Sequence, residues 1–163
     1  MATGLKLING FVIGKLNYML PLYSVVSTDN NNKLHKIIMT AARAVIGNYC
    51  FKKSISYILN KCKWLNINNM ITRSAVMIIH KIIINKSPET IYRLIKTNQN
   101  TRTVSDITTA SMPRNKRFTN FYIYKYCKFY NSFKRETNAN SIQNFKKALM
   151  KYIIDNPVND KMD

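Results

Sequence analysis

The segment from Lys33 to Gly47 constrains the fold most strongly, because its apolar residues recur at the spacing of one helical face. The residues of that face are Leu34, Ile37, Ile38, Ala41, Ala42 and Val45. The opposite face carries Lys33, Lys36, Thr40 and Arg43. Polar residues at 29–32 can cap the start of a helix, and Gly47 stands where a helix end favours a left-handed residue. The segment therefore predicts an amphipathic helix with one buried face and one charged face.

Other segments also show helical patterns. Residues 3–20 are apolar around much of a helix circumference, which predicts a central, buried helix that Pro21 ends or kinks. Ser54 can cap a short helix that runs through Leu59. The segment from Met70 to about Ile84 is rich in β-branched residues, so a buried strand is the alternative there. Its length favours a helix.

Two more helices are predicted towards the C-terminus. Ser87, Pro88 and Glu89 provide a cap residue, a proline for the first helical position and an acid near the positive end of the helix dipole. That helix is expected to run through Ile95. Residues 141–154 place apolar side chains on one helical face and lysines, including Lys146 and Lys147, on the other.

Two segments have different compositions. Residues 96–117 are polar and aperiodic, which predicts a long surface loop. Residues 121–130, FYIYKYCKFY, have the aromatic content typical of a strand, so a short strand or hairpin is predicted, with a helix as the open alternative. The fold class is mainly α, a bundle of about five to six helices. We expect a helical bundle over 1–95, a polar connection over 96–117 and a C-terminal extension over 118–163 that packs on the bundle.

The charge of the chain is strongly positive. The sequence contains 26 Lys and Arg against seven Asp and Glu, a net charge of +19. So many positive side chains repel one another unless a polyanion is near, and nucleic acid is the default polyanion. Codon bias is the alternative explanation, because Lys, Asn and Ile share A/T-rich codons. Such a bias explains the abundance of lysine better than it explains the scarcity of acidic residues. The composition therefore favours nucleic-acid binding over codon bias alone.

The sequence contains no convincing catalytic or metal-binding motif. The acids are dispersed, so no carboxylate cluster suits two-metal chemistry, and phosphate-binding glycine loops, HExxH and GxSxG are absent. Cys50, Cys62 and Cys127 form no CxxC pair, which predicts reduced thiols. A catalytic pair of Cys127 with His35 or His80 is a minor alternative to simple packing. We therefore expect no enzymatic activity, no cofactor and no metal.

No membrane partner is expected either. Lysines interrupt the apolar N-terminal run, which argues against a signal peptide. The apolar run at residues 75–84 is too short for a membrane span, which takes about 20 residues. The predicted location is nuclear or cytoplasmic, and secretion is not expected.

Residues 114–128 combine cations with aromatic rings. Arg114, Lys116 and Arg117 are predicted to contact phosphates. The aromatic residues at 121–126 offer faces for base stacking, but large apolar side chains are usually buried, so packing is favoured for them. The predicted nucleic-acid-binding residues are Lys33, Lys36, Arg43, Lys61, Lys63, Arg114, Lys116, Arg117, Lys146 and Lys147. A solvated helix face is the alternative for Lys33, Lys36 and Arg43.

A series of short motifs follows a recognisable order along nearly the whole chain. The motifs are LNY at 16–18, the KL, AAR and VIG elements of 33–47, WLNI at 64–67, Arg73, HKI at 80–82, Pro88, Arg102, Pro113, YNSF at 130–133 and FKKAL at 145–149. This order resembles the C-terminal, post-palm region of reverse transcriptases from non-LTR, LINE-type retrotransposons. Tyr130 stands where that family usually has Trp, and Lys134 stands where it usually has Pro. The catalytic palm with its YxDD-type acids is absent.

The resemblance implies a thumb-like helical module over 1–95 with a C-terminal extension. In that family the region holds the template and primer duplex behind the polymerase site. We therefore expect sequence-nonspecific binding of RNA or an RNA/DNA hybrid, with a polymerase palm or another protein chain as a further partner. The alternatives are a protein-interaction module for host or self-association, and a decayed fragment without function.

Overall fold

The computed structural model describes residues 2–25, 28–47, 53–97, 107–109, 122–137 and 141–156. The fold is mainly helical, as predicted, and the described residues contain eight α-helical segments, somewhat more than the predicted five to six. The chain forms two compact units, Met1–Ile71 and Thr72–Asp163. This division falls inside a helix, whereas the sequence placed boundaries after residues 95 and 117.

The N-terminal helix of the first unit has three consecutive parts. Helix α1 (Ala2–Ile8) leads into a π-helical turn (Asn9–Ile13) and then α2 (Gly14–Met19). The Gly14 N–H donates to the Asn9 carbonyl, five residues back, which is the hydrogen bond that defines a π turn. The Trp64 indole N–H donates to the Asn9 side-chain oxygen at 2.8 Å and so fixes this turn. A 3-10 turn at Leu22–Val25 follows.

The expectation that this helix is central and buried is wrong. Ile13 is its only buried residue within the described part, and Leu20 just beyond it is also buried. Phe11 is 69% exposed and Tyr18 is 88% exposed. Apolar side chains around most of a helix show that it can be buried on several sides. They do not show that neighbouring elements exist to bury it.

Helices α3 (Thr28–Ile46) and α4 (Ile55–Cys62) pack against each other and follow their predicted patterns in the main. Two details of the α3 prediction are wrong: the helix begins at Thr28, so the predicted cap residues at 29–32 lie inside it, and Ile37 of the predicted buried face is 49% exposed. In α3 the buried residues include Leu34, Ile38 and Ala42, and Gly47 adopts a left-handed conformation with φ of 95°. Ser54 caps α4 by accepting a hydrogen bond from the Tyr57 N–H at 3.3 Å.

The β-branched segment forms a helix and not a strand. Helix α5 (Ile67–Asn85) is capped by the Asn66 side chain, which accepts a hydrogen bond from the Asn69 N–H at 2.7 Å. A segment of nineteen residues is too long for an ordinary strand, and the helix buries apolar side chains along its length. Of its buried residues, Met70 and Ile71 belong to the first unit, and Val76 and Ile79 belong to the second.

The second unit continues with a helix shorter than expected and a small sheet. Helix α6 covers only Glu89–Tyr92 and does not run through Ile95, which begins a strand. Pro88 has an extended backbone and occupies the capping position, which corrects its predicted place as the first helical residue after a Ser87 cap. Strand β1 (Ile95–Thr97) pairs antiparallel with β2 (Ile107–Thr109). Both strands lie at or within the predicted polar connection, whose other residues, 98–106 and 110–117, lie outside the described part of the chain.

The predicted strand or hairpin near 121–130 is wrong, because the segment forms helix α7 (Tyr122–Glu136). Its buried residues Ile123, Tyr126, Cys127, Tyr130 and Phe133 recur three or four positions apart. That is helical spacing, and here it overrides the strand-like composition. Helix α8 (Ile142–Asp155) follows as predicted and buries Phe145, Leu149 and Ile153.

Aromatic rings and one histidine form the centre of the second unit. The His80 ring stacks on Phe145, with 3.5 Å between centroids and 6° between planes. The His80 Nδ1 atom lies 3.1 Å from the Tyr130 hydroxyl, within hydrogen-bonding distance. Phe133 meets Phe145 edge to face, with 5.0 Å between centroids. These contacts fix the rotation of α8 and therefore the direction in which its exposed residues point.

Candidate functional site

A cleft of about 540 Å³ lies on the second unit between residues of α5 and α8. Arg73 comes from α5, and Gln143, Lys146, Lys147 and Met150 come from α8. Lys146 and Lys147 are exposed, whereas Arg73 and Met150 are half-buried. The fold thus brings two predicted cations together with a third cation that is distant in the sequence.

The buried face of α8 sets the position of this cleft. Phe145 lies immediately before Lys146 and is fixed by its stack with His80. Because Phe145, Leu149 and Ile153 all turn towards the core, the lysines between them are left at the surface. The packing that holds α8 therefore also positions the cations of the cleft.

The electrostatic environment of the cleft is positive. Among the described residues, Arg93 and Glu89 form an ion pair with a nitrogen-to-oxygen distance of 2.6 Å. No described carboxylate lies within ion-pair distance of Arg73, Lys146 or Lys147. A guanidinium can bind a phosphate through two parallel hydrogen bonds, and a lysine ammonium adds a compact positive charge. The cleft is chemically suited to an anionic group.

The predicted cations of the first unit lie on α3 and at the end of α4. Lys33 and Lys36 are exposed along α3, but Arg43 is half-buried. Lys61 is exposed on α4, and Lys63, also exposed, ends that helix in a left-handed conformation with φ of 56°. Lys33 and Lys36 thus fit the predicted exposed stripe, and Arg43 fits it only in part.

One feature of the first unit was not predicted from the sequence: an exposed tyrosine ring with two lysine ammonium groups near it. The Lys53 ammonium lies 5.7 Å from the centre of the Tyr57 ring, and the Lys61 ammonium lies 5.8 Å from it. Tyr57 is 45% exposed. Part of the signal was present in the sequence, because positions 57 and 61 share one face of α4, whereas Lys53 lies just before the Ser54 cap.

The basic and aromatic segment of residues 114–128 is described only in part. Arg114, Lys116 and Arg117 lie outside the described residues, as does Phe121. Tyr126 is buried, and burial raises the pKa of its hydroxyl while a hydrogen bond with Thr72 acts in the opposite direction. Tyr124 is half-buried. The preference for packing over base stacking is therefore confirmed for Tyr126.

Arg73 was not among the predicted contact residues. It was noted in the sequence only as one position in the series of family-like motifs, and it lies within a helix predicted mainly from its apolar residues. No local pattern relates Arg73 to Lys146, because the two residues are brought together by the packing of α5 and α8.

The titratable groups in the core of the second unit fit a packing role. Burial, with a smaller contribution from the charge of Lys134, lowers the pKa of His80 from 6.5 to about 4. Burial raises the pKa of Cys127 to about 11. Both groups are therefore held neutral near pH 7, which disfavours a thiolate and imidazolium pair. Within the described ranges, no three His, Cys, Asp or Glu side chains are grouped to hold a metal ion.

Comparisons with known proteins give no relative. No family model, curated protein or solved structure matches the chain. Among the described helices, none has both the length and the apolar content that crossing a membrane requires.

Proposed function

We propose that the protein binds RNA or an RNA/DNA hybrid without sequence specificity and without catalysing a reaction on it, as a module derived from a reverse-transcriptase thumb. The observation that carries this proposal is the cleft in which Arg73, Lys146 and Lys147 surround one open volume with no described carboxylate beside them. The net charge of +19 supports the same polyanionic partner.

The proposed mechanism is electrostatic binding of the phosphate backbone. Arg73, Lys146 and Lys147 neutralise phosphates, and the release of condensed counterions supplies much of the binding free energy. Contacts to phosphates carry no base information, so one surface can accept many sequences. Gln143 can donate an amide hydrogen bond to a phosphate or sugar oxygen, and Met150 offers an apolar contact beside it.

A salt titration tests the proposal. If six to ten phosphates are contacted, affinity for an RNA/DNA hybrid should fall by roughly 10³- to 10⁵-fold between 50 and 200 mM salt. Replacing Arg73, Lys146 and Lys147 together by Gln should weaken binding and lower the slope of log K against log salt by about 0.9 for each phosphate that is no longer neutralised. Lys151→Gln, an exposed lysine of α8 outside the lining of the cleft, is the matched control. A flat salt response in the unmodified protein would contradict the proposal.

A second candidate function is protein interaction, favoured by the exposed apolar side chains of the N-terminal helix. Leu7, Phe11 and Tyr18 are exposed along this helix, and Leu22 is exposed in the 3-10 turn that follows it. Exposed apolar patches of this kind mark protein interfaces. Light scattering before and after nuclease treatment separates the two functions: an assembly that persists without nucleic acid and that Phe11→Lys disperses supports self-association.

A further inference from the structure

We propose that Tyr57 is a stacking platform for a base of single-stranded nucleic acid, with Lys53 and Lys61 contacting the phosphates on either side. This inference rests on the proposed function and names the form of nucleic acid that the first unit binds. Base stacking was the less favoured interpretation of residues 121–126, and the described ring of Tyr126 is buried, whereas the ring of Tyr57 is 45% exposed.

The geometry of α4 presents the Tyr57 ring outward. Ile58, Leu59 and Cys62 bury the other side of the helix, and Cys62 adds a sulfur contact of 3.9 Å to the Ala42 carbonyl of α3. The Ser54 cap fixes the first turn, so the backbone that carries Tyr57 is held at its start as well as along its buried face. A ring on such a helix can receive a base without a rearrangement of the backbone.

The two lysines leave room for a base. Their ammonium groups lie 5.7 and 5.8 Å from the ring centre, close to the limit of about 6 Å for a cation–π contact. They therefore lie near the ring without packing tightly on it. When a base stacks on the ring, each flexible lysine chain can move its charge from the aromatic face to a neighbouring phosphate. No described carboxylate is paired with either lysine to oppose that movement.

This chemistry selects single strands over duplexes. In a duplex the faces of the bases are already stacked on one another, whereas an unpaired base can place its face on an aromatic ring. Stacking tolerates any base, because every base has a π face. An exposed ring between two cations is therefore suited to single-stranded RNA or DNA of any sequence.

The test compares single strands with and without bases. Fluorescence anisotropy measures binding of the full chain to a labelled oligouridine, to an abasic strand of the same length and to an RNA/DNA hybrid. Tyr57→Leu should weaken oligouridine binding by about 5- to 150-fold, the range known for one base stack, and should leave binding to the abasic strand unchanged. Tyr57→Phe keeps the ring and should bind as the unmodified protein does. Tyr92→Leu removes a half-buried tyrosine of the second unit and should have no effect.

The roles of the lysines are separated by salt dependence. Lys53→Gln and Lys61→Gln should each lower the salt slope for the single strand by about 0.7, while Tyr57→Leu should leave the slope as it is. Equal losses on the abasic strand and oligouridine, or no loss for Tyr57→Leu, would overturn the assignment of Tyr57. If the unmodified protein binds the hybrid but not oligouridine, the inference fails and the proposed function stands. If it binds none of the three, the proposed function fails as well.

Discussion

The aromatic cluster of the second unit and Tyr57 of the first unit place their rings in opposite environments. In the second unit Tyr130, Phe133 and Phe145 are buried and contact one another or His80. In the first unit Tyr57 is exposed, and its described ring partners are the ammonium groups of Lys53 and Lys61. The residue types are alike, but the neighbours differ.

The difference shows what decides the role of an aromatic ring. A ring whose neighbours three or four positions away are also apolar joins a buried face, as Tyr130 does beside Tyr126 and Phe133 on α7. Tyr57 has lysines four positions away on both sides and stays at the surface, whereas Tyr130 has Lys134 on one side only, with its ammonium 5.9 Å from the ring centre, and is buried. The first arrangement supplies stability and the second leaves a face free to bind.

The largest effect is expected for Phe145→Ala in the buried cluster. The substitution removes the ring that stacks on His80 and leaves a cavity that the core cannot fill. We expect a loss of about 3–5 kcal/mol in the free energy of unfolding, measured by chemical denaturation. The neighbouring exposed substitution Lys146→Ala is the control and should change stability by less than about 0.5 kcal/mol. Similar effects for both substitutions would contradict the buried position of Phe145.

The next effect is a pH dependence that arises from His80. Its pKa is about 4 in the folded protein and 6.5 without the fold, because burial and the charge of Lys134 disfavour the protonated ring. The unfolded chain therefore binds the proton first as pH falls. The contribution of neutral His80 is fully present above pH 6.5 and is lost progressively down to about pH 4. The loss amounts to about 3 kcal/mol, measured by denaturation over a pH series.

Variants identify the group responsible for this pH dependence. His80→Phe keeps an aromatic ring against Phe145 and should remove most of the loss between pH 6.5 and 4. His35→Gln, at the half-buried histidine of α3, serves as the comparison and should keep it. If His35→Gln removes the pH dependence and His80→Phe does not, the assignment to the buried cluster is wrong.

A smaller effect is expected where α7 holds the sheet. The Asn131 amide donates to the Ile107 carbonyl at 2.9 Å, and its oxygen accepts the Ile107 N–H at 3.0 Å. The side chain thus pairs with β2 as a neighbouring strand would. Asn131→Ala should cost about 1–3 kcal/mol, because both backbone groups lose their partner. Hydrogen exchange at the Ile107 amide should also become faster.

Asn131→Asp separates the two hydrogen bonds. The carboxylate keeps an acceptor for the Ile107 N–H but has no donor for the Ile107 carbonyl. Exchange at the Ile107 amide should stay slow in this variant, although stability falls. Fast exchange in both variants would show that the amide of Ile107 is not protected by Asn131.

The sequence predicted most helices correctly because their apolar spacing is local. Helices α3 and α8 follow their patterns, and the Ser54 cap lies where it was expected. The prediction at 121–130 was wrong because composition was given more weight than spacing, although the buried positions from Ile123 to Phe133 already recur as they do in a helix. The N-terminal helix was expected to be buried because spacing cannot say whether a neighbour exists.

The site was less predictable than the fold. Lys146 and Lys147 were identified from the charged face of their own helix, but the cleft also needs Arg73, which tertiary packing brings to them. Tyr57 was not predicted as a site, because the densest aromatic segment lies elsewhere, and such density is typical of a core. The contact between Arg73 and the lysines of α8 joins residues that are distant in the sequence, and no local pattern predicts it.

The smallest expected effect on stability is that of Tyr57→Leu, and it completes the contrast between the units. The variant removes two cation–π contacts at an exposed ring, each worth about 0.5–1 kcal/mol at most, while Leu keeps the apolar bulk of the residue. The free energy of unfolding should therefore fall by no more than about 2 kcal/mol in chemical denaturation, less than for Phe145→Ala. A loss above about 2 kcal/mol would show that Tyr57 supports the fold as the buried rings do. In that case weaker binding by the variant would reflect a damaged first unit and not a missing face for a base.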